Sequence, residues 1–302
     1  RTLIKTAGVG AGALALGGAL VLKETQTTAP VEAAKAATTF IKGADVSWYP
    51  QMEALGYKFY NASGVQQDLL TILKGYGINA IRLRTFVNPS NSPQNGHCSQ
   101  KETIAMALRC KNAGLLVDID FMFGDTWNSV GGQNPPAAWA KMSYSQMLTA
   151  MKNYVSGFMT AMKASGVTPT WVQIGNEENS GICHPVGAVN SHPDQMTGLL
   201  MNAYNAVKAT FPTTSVIIHL AQPQKLASFE NFLDKYKQYG GKWDVTGFSS
   251  YASGAAIQTV LANVKTIQQK YGKPVMQVEV GGQVAKAAST RSKIATFVKG
   301  MK

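Results

Sequence analysis

The chain has 302 residues, 45% hydrophobic and only 15% charged, with a formal net charge of +12. This is ample apolar material for a large core; the basic residues are scattered without a run of three, which leaves nucleic-acid binding unsupported and fits a cationic face near acidic polymers equally well. Cys98, Cys110 and Cys183 are odd in number and lack CxxC spacing, which excludes a full disulfide framework and argues against metal or redox motifs, although Cys98 and Cys110 are spaced to pair across a loop and helix start.

In chain order, Arg1 and Lys5 precede an apolar stretch from Ala7 to Leu22, then polar residues and Ala34-Lys35-Ala36. A short, Gly-broken apolar run followed by an A-x-A site reads as an export signal over residues 1–36, with a retained anchor as the alternative. The expectation is a secreted protein without a stable membrane anchor. From residue 40 onward, short β-prone runs alternate with helical patterns. The strand-like runs are Ala44–Tyr49, Ala80–Val87, Leu115–Phe121, Trp171–Ile174, Ser215–Leu220, Val245–Tyr251 and Val275–Val280. Between them, apolar residues recur at helical spacing, as at Met147, Met151, Tyr154, Phe158 and Met162, and glycines such as Gly77, Gly114, Gly166 and Gly272 follow the periodic stretches. Alternation of this kind predicts right-handed β-α-β units and a parallel sheet. No fixed repeat and no linker divides residues 37–302, so they read as a single α/β unit, a (β/α)8 TIM barrel. Seven strands are counted where a closed barrel needs eight, so the expectation is a barrel truncated before its eighth β/α unit.

Ligands of parallel β/α proteins gather at the carboxyl ends of the strands. Those ends carry Asp45 and Trp48, Arg82 and Arg84, Asp118 and Asp120, Asn176 and Glu177, His219, Tyr251, and Glu279. Period-two alternation puts Arg82 and Arg84 on one face, and a buried arginine needs a carboxylate, which Glu279 or Asp45 supplies. Two glutamates, two arginines, a histidine and a tyrosine at one rim are too polar for a core. They suit glycoside cleavage, in which one carboxylic acid protonates the leaving oxygen while the other carboxylate attacks or activates water. An arginine beside Glu279 would keep it ionised, whereas Glu177, with no cation of its own, would retain its proton near neutral pH. Tyr251 is expected to donate to Glu279. Glu178 reads as solvated or structural, the methionine-rich helix faces as core, and Cys183-His184 as lacking the third partner of a nucleophilic dyad.

The stretches Gly43-Ala44-Asp45-Val46-Ser47-Trp48, Gly56-Tyr57-Lys58-Phe59-Tyr60-Asn61, Gly77-Ile78-Asn79-Ala80-Ile81-Arg82-Leu83-Arg84, Asp125-Thr126-Trp127 and Val172-Gln173-Ile174-Gly175-Asn176-Glu177 resemble the arabinogalactan endo-β-1,4-galactanases, glycosyl hydrolase family 53. The resemblance covers about residues 40–285. It implies a clan-type (β/α)8 barrel that retains anomeric configuration, with Glu177 as acid/base and Glu279 as nucleophile about 5–5.5 Å apart. It also implies the β-1,4-galactan side chains of pectin as polysaccharide substrate, no cofactor, no catalytic metal and a monomer. Asp45, Trp48, Arg82, Arg84, Asp125, Trp127, Asn176, His219 and Tyr251 are then the substrate-binding candidates, with Trp48 and Trp127 either sugar platforms or core residues.

Four positions depart from the family pattern. Met122 stands where the family usually has His, Phe86 and His184 where it has Trp, and Ser250 where it has Tyr. Lost aromatic faces relax the substrate assignment more than the reaction. They keep open a different class of function, a carbohydrate-binding barrel without turnover or with altered specificity for another β-linked polysaccharide.

Overall fold

A computed structural model of the chain describes residues 40–90 and 97–301. The segment read as an export signal lies outside the described residues. The strands are β1 (Gly43–Asp45), β2 (Ala80–Thr85), β3 (Leu116–Phe121), β4 (Trp171–Gln173), β7 (Ser215–Ala221), β8 (Val245–Ser249) and β9 (Val275–Glu279), which form one parallel sheet in the order β1-β2-β3-β4-β7-β8-β9. A short antiparallel pair, β5 (Gly181–Ile182) and β6 (Gly187–Ala188), ornaments the loop after β4. The helices are α1 (Tyr49–Ala54), α2 (Leu69–Gly75), α3 (Gln100–Asn112), α4 (Tyr144–Ala164), α5 (Pro193–Thr210), α6 (Leu226–Gln238), α7 (Ala256–Tyr271) and α8 (Ala287–Met301). The result is a nearly closed parallel barrel, with β1 and β9 as its edges.

The helices form where caps and periodicity agree. Ser99 and Ser143 each start a helix in a reciprocal capping box, with Glu102 and Gln146 returning the hydrogen bond. Asp68 caps α2 by accepting from the amides of Leu70 and Thr71. The buried face of α4 is Met147, Met151, Val155, Phe158, Met159 and Met162, at the three-to-four spacing that lays one stripe on the sheet. Every residue of β2 is buried, as a strand covered on one side by helices and on the other by the barrel interior must be. Ile81 and Leu83 therefore face the helix layer and Arg82 and Arg84 the interior. Register sets Arg82 opposite Asp45 on one side and Asp118 on the other, and sets Asp120 opposite Gln173.

Three expectations are corrected here. The first strand stops at Asp45 instead of Tyr49, because Trp48 turns into α1 with Pro50 in its first turn. The sixth parallel strand, β8, ends at Ser249, which puts Tyr251 in the following loop. The Cys98–Cys110 bridge does not form. The Cys98 thiol lies 3.6 Å from the Ser47 carbonyl, in a small cluster with Phe86 and Met122, while Cys110 packs in the main core. Burial pushes all three thiols up to about 12, so they behave as small apolar side chains.

Phe158 is fully buried and meets Phe121 edge-to-face at 4.9 Å, joining α4 to β3. Truncation by Phe158→Ala is expected to cost about 3–5 kcal/mol, seen as a lower denaturant midpoint at unchanged slope.

Candidate active site

The polar rim is organised around Arg82, which is only 6% exposed. Its Nη1 pairs with Asp45 Oδ2 at 3.0 Å, and its Nη2 with Asp120 Oδ2 at 2.8 Å and Glu279 Oε1 at 2.9 Å. The same Nη2 donates to Asn176 Oδ1 at 2.9 Å and lies 3.3 Å from Gln173 Oε1. One guanidinium from β2 thus gathers groups from β1, β3, β4 and β9. Its own pKa is raised: burial works against the charge, and Asp120, Glu279 and Asp45 more than offset it.

One cation cannot neutralise all of these carboxyls, and they divide by depth. Burial pushes Asp118 up to about 7 and Asp120 up to about 8, against the pull of Arg82. Glu279 is shifted the other way. Burial raises it, but Arg82 and the Tyr251 hydroxyl, which donates to Oε2 at 2.9 Å, hold the carboxyl below its ordinary value. His219 is wholly buried, and the same burial drives its imidazole down to about 3, so it is a neutral ring facing the cluster. Burial thus favours the proton on Asp118 and Asp120, while Asp45 and Glu279 are held toward the charged form.

Glu177 reaches the same rim from the loop after β4. Its Oε1 accepts from Ser249 Oγ at 2.5 Å, and Ser249, the last residue of β8, is in register with Glu279. Among the described residues Glu177 makes no ion pair, in contrast to Glu279. Its backbone is left-handed, at φ 49°, an uncommon and costly state for a residue with a Cβ. The turn is held from outside: Gln133 Nε2 donates to the carbonyls of Asn176 (2.8 Å) and Glu177 (3.1 Å), and Asn176 Nδ2 donates to the carbonyl of Asn128 at 2.7 Å. A paired loop therefore fixes where this carboxyl points.

The remaining candidates separate by role. Trp48, Arg84 and Trp127 form one platform: the indoles stack at 6.4 Å, and the Arg84 guanidinium lies over Trp127 at 4.2 Å and Trp48 at 5.0 Å. Trp127 is 41% exposed, so it is not a core residue. Phe86 is fully buried against its edge and packs with Met122, so the two departures from the family pattern together build an apolar floor under the platform. Asp125 accepts the backbone amides of Asn88 and Ala137 at 2.9 Å each, which braces two loops. Sequence reasoning passed over Ser249, Gln173 and Gln133. Gln173 alone carried a signal, as the polar residue between apolar Val172 and Ile174.

Of the two readings of Glu178, solvated or structural, burial takes away the first. It is wholly buried, neither of its carboxyl oxygens has a hydrogen-bond partner among the described residues, and burial drives its pKa well above the ordinary range. Its carboxyl occupies the space where a Cβ on Gly175 would stand, and Gly175 has a φ of 135° that only glycine adopts readily. The cause is the left-handed turn at Glu177, which sends adjacent side chains to opposite sides, one to the rim and one inward. Glu178 is neutral when folded and ionises near the usual glutamate pKa when unfolded. Its contribution is therefore harmless at acid pH, and it destabilises as pH rises above that value. Glu178→Gln removes the ionisation. The variant is expected to match the native chain near about pH 4 and to gain on it by up to roughly 1.4 kcal/mol per pH unit above about pH 4.5, in urea melts at several pH values.

Among the described residues, no group of three His, Cys, Asp or Glu side chains is placed to hold a metal ion. No helix there is long and apolar enough to cross a membrane.

Residues 41–297 match the family model described as Glycosyl hydrolase family 53. An uncharacterised Niallia circulans protein from the bgaB 5′ region is 32% identical over 248 residues, covering 80% of this chain and 67% of its own length. The arabinogalactan endo-β-1,4-galactanase A of Emericella nidulans is 30% identical over 256 residues, covering 81% and 71%. The solved GH53 catalytic domain of Ignisphaera aggregans superposes with a TM-score of 0.75 at 34% identity, covering 80% of this chain and 68% of that one.

Proposed function

Because the chain belongs to glycosyl hydrolase family 53 and is a glycosidase, we propose that it cleaves β-1,4-galactan internally, by double displacement with retention at the anomeric carbon. The observation that carries this reading is the unequal treatment of two glutamates at one rim. Glu279 is paired with Arg82 and hydrogen-bonded by Tyr251, which keeps electron pairs available on an ionised carboxylate. Glu177 has Ser249 and no cation. In the first step Glu279 attacks the anomeric carbon as the bond to the leaving oxygen breaks and Glu177 delivers its proton to that oxygen. In the second, Glu177 takes a proton from water, the hydroxyl adds to the anomeric carbon, and Glu279 is released.

The galactan assignment is supported by the name of the Emericella nidulans relative and by the Trp48–Arg84–Trp127 platform, which presents aromatic area and a fixed cation beside the rim. Secretion is proposed from the export-type pattern of residues 1–36.

Each of Glu177→Gln and Glu279→Gln is expected to lower kcat on β-1,4-galactan by at least about 10²–10⁴; Glu177→Gln should melt like the native chain, while Glu279→Gln, which takes one carboxylate from Arg82, should melt lower but remain folded. Proton NMR of the first product should show the β-anomer. An α-product, or full activity in Glu279→Gln, rejects the mechanism; turnover only on another β-glycan rejects the substrate. Tyr251→Phe removes a donor that favours the ionised form of Glu279. The acid limb of the kcat/KM profile should then move up by as much as about one pH unit, because the limb reports ionisation in the free enzyme.

A further inference from the structure

The net charge of +12 is not accounted for by the rim, which is rich in carboxylates. In a parallel barrel every returning helix ends at the pole opposite the strand ends that carry the rim. Each helix from α2 to α8 has a basic residue in its last turn, while only α3 and α5 have an acidic one in their first. Helix dipoles favour this arrangement but do not require so many cations. Three lysines are placed with a regular step: the ammonium of Lys42 lies 3.0 Å from where a Cβ on Gly77 would stand, that of Lys74 lies 3.3 Å from the same point on Gly114, and that of Lys111 3.5 Å from it on Gly166. Each thus reaches over a glycine just past a helix: Gly77 after α2, Gly114 after α3 and Gly166 after α4.

Some cations at this pole are already matched. Lys208 pairs with Asp244, and Lys270 with Glu230 and Asp234. Among the described residues, exposed Lys42, Lys74, Lys111, Lys163, Lys237 and Lys242 make no ion pair. Tyr76 and Tyr239, which end α2 and α6, add 65% and 47% exposed aromatic side chains to the same face.

We propose that this pole is a docking face for an anionic, uronate-bearing polysaccharide, which leaves the carboxylate-lined rim at the other pole open to a neutral chain. Compact lysine charges ringed around a pole suit carboxylates spaced along a flexible polymer. The bidentate arginine forks that favour phosphate are not available there, since Arg109 is held by Glu53 and Asp68. Exposed tyrosines offer faces to sugar rings. The inference does not depend on galactan as the substrate, because its readout is binding and not turnover.

The test uses the full chain and polygalacturonate as the probe, with neutral β-1,4-galactan alongside. One variant carries Lys111→Gln, Lys163→Gln, Lys237→Gln and Lys242→Gln; a second of equal net charge carries Lys141→Gln, Lys152→Gln, Lys225→Gln and Lys265→Gln, away from the pole. The native chain is expected to bind polygalacturonate at about 20 mM salt and release it by about 300 mM, and the polar variant to bind about tenfold more weakly. The second variant should bind like the native chain, with all three melting alike. No native binding, equal weakening in both variants, or tighter binding to a single-stranded oligonucleotide of matched charge would overturn the assignment.

Discussion

A single, nearly buried guanidinium is the constraint on which this barrel end depends. Arg82 cannot release its proton, so the interior must bring carboxylates to it, and β1, β3 and β9 each supply one. The strands so tied are the two edges of the sheet and a strand two places along it. Breaking such a buried set costs more than building it stabilises, because each lost partner leaves an uncompensated charge. The same arrangement sorts the acids: burial favours the proton on Asp118 and Asp120, while Glu279, which gains both the ion pair and the phenol of Tyr251, is held toward its charged form.

Much of the architecture was legible because it follows from period and punctuation. Apolar runs between helical patterns gave the parallel order, and the requirement that a buried arginine find a carboxylate anticipated Asp45 and Glu279 as partners of Arg82. What escaped was decided by tertiary position. Nothing in Asn176-Glu177-Glu178 announces that a left-handed residue splits two adjacent glutamates between rim and interior. Ser249 is an ordinary strand-end serine until β8 lies beside β4 through β7. Cys98 and Cys110 are well spaced along the chain, yet the turn into α3 sends one thiol to the Phe86–Met122 cluster and the other into the core.

Composition misled in one respect and informed in another. A scattered set of basic residues looks undirected when counted along the chain, but the fold collects the basic last turns of seven helices at one pole. Charge in this molecule is therefore a matter of topology: acids converge where strands end and lysines where helices end.

The Trp48–Arg84–Trp127 platform has an optical consequence. Indole emission responds to a nearby cation and to water, and Trp127 has both, whereas Trp139 and Trp243 are buried and give a steady background. An oligosaccharide settling on this surface would strip solvent from Trp127 and its stacked neighbour Trp48 and leave the buried Trp139 and Trp243 unchanged. The molecule carries its own reporter of occupancy, readable as a shift in emission without an attached dye.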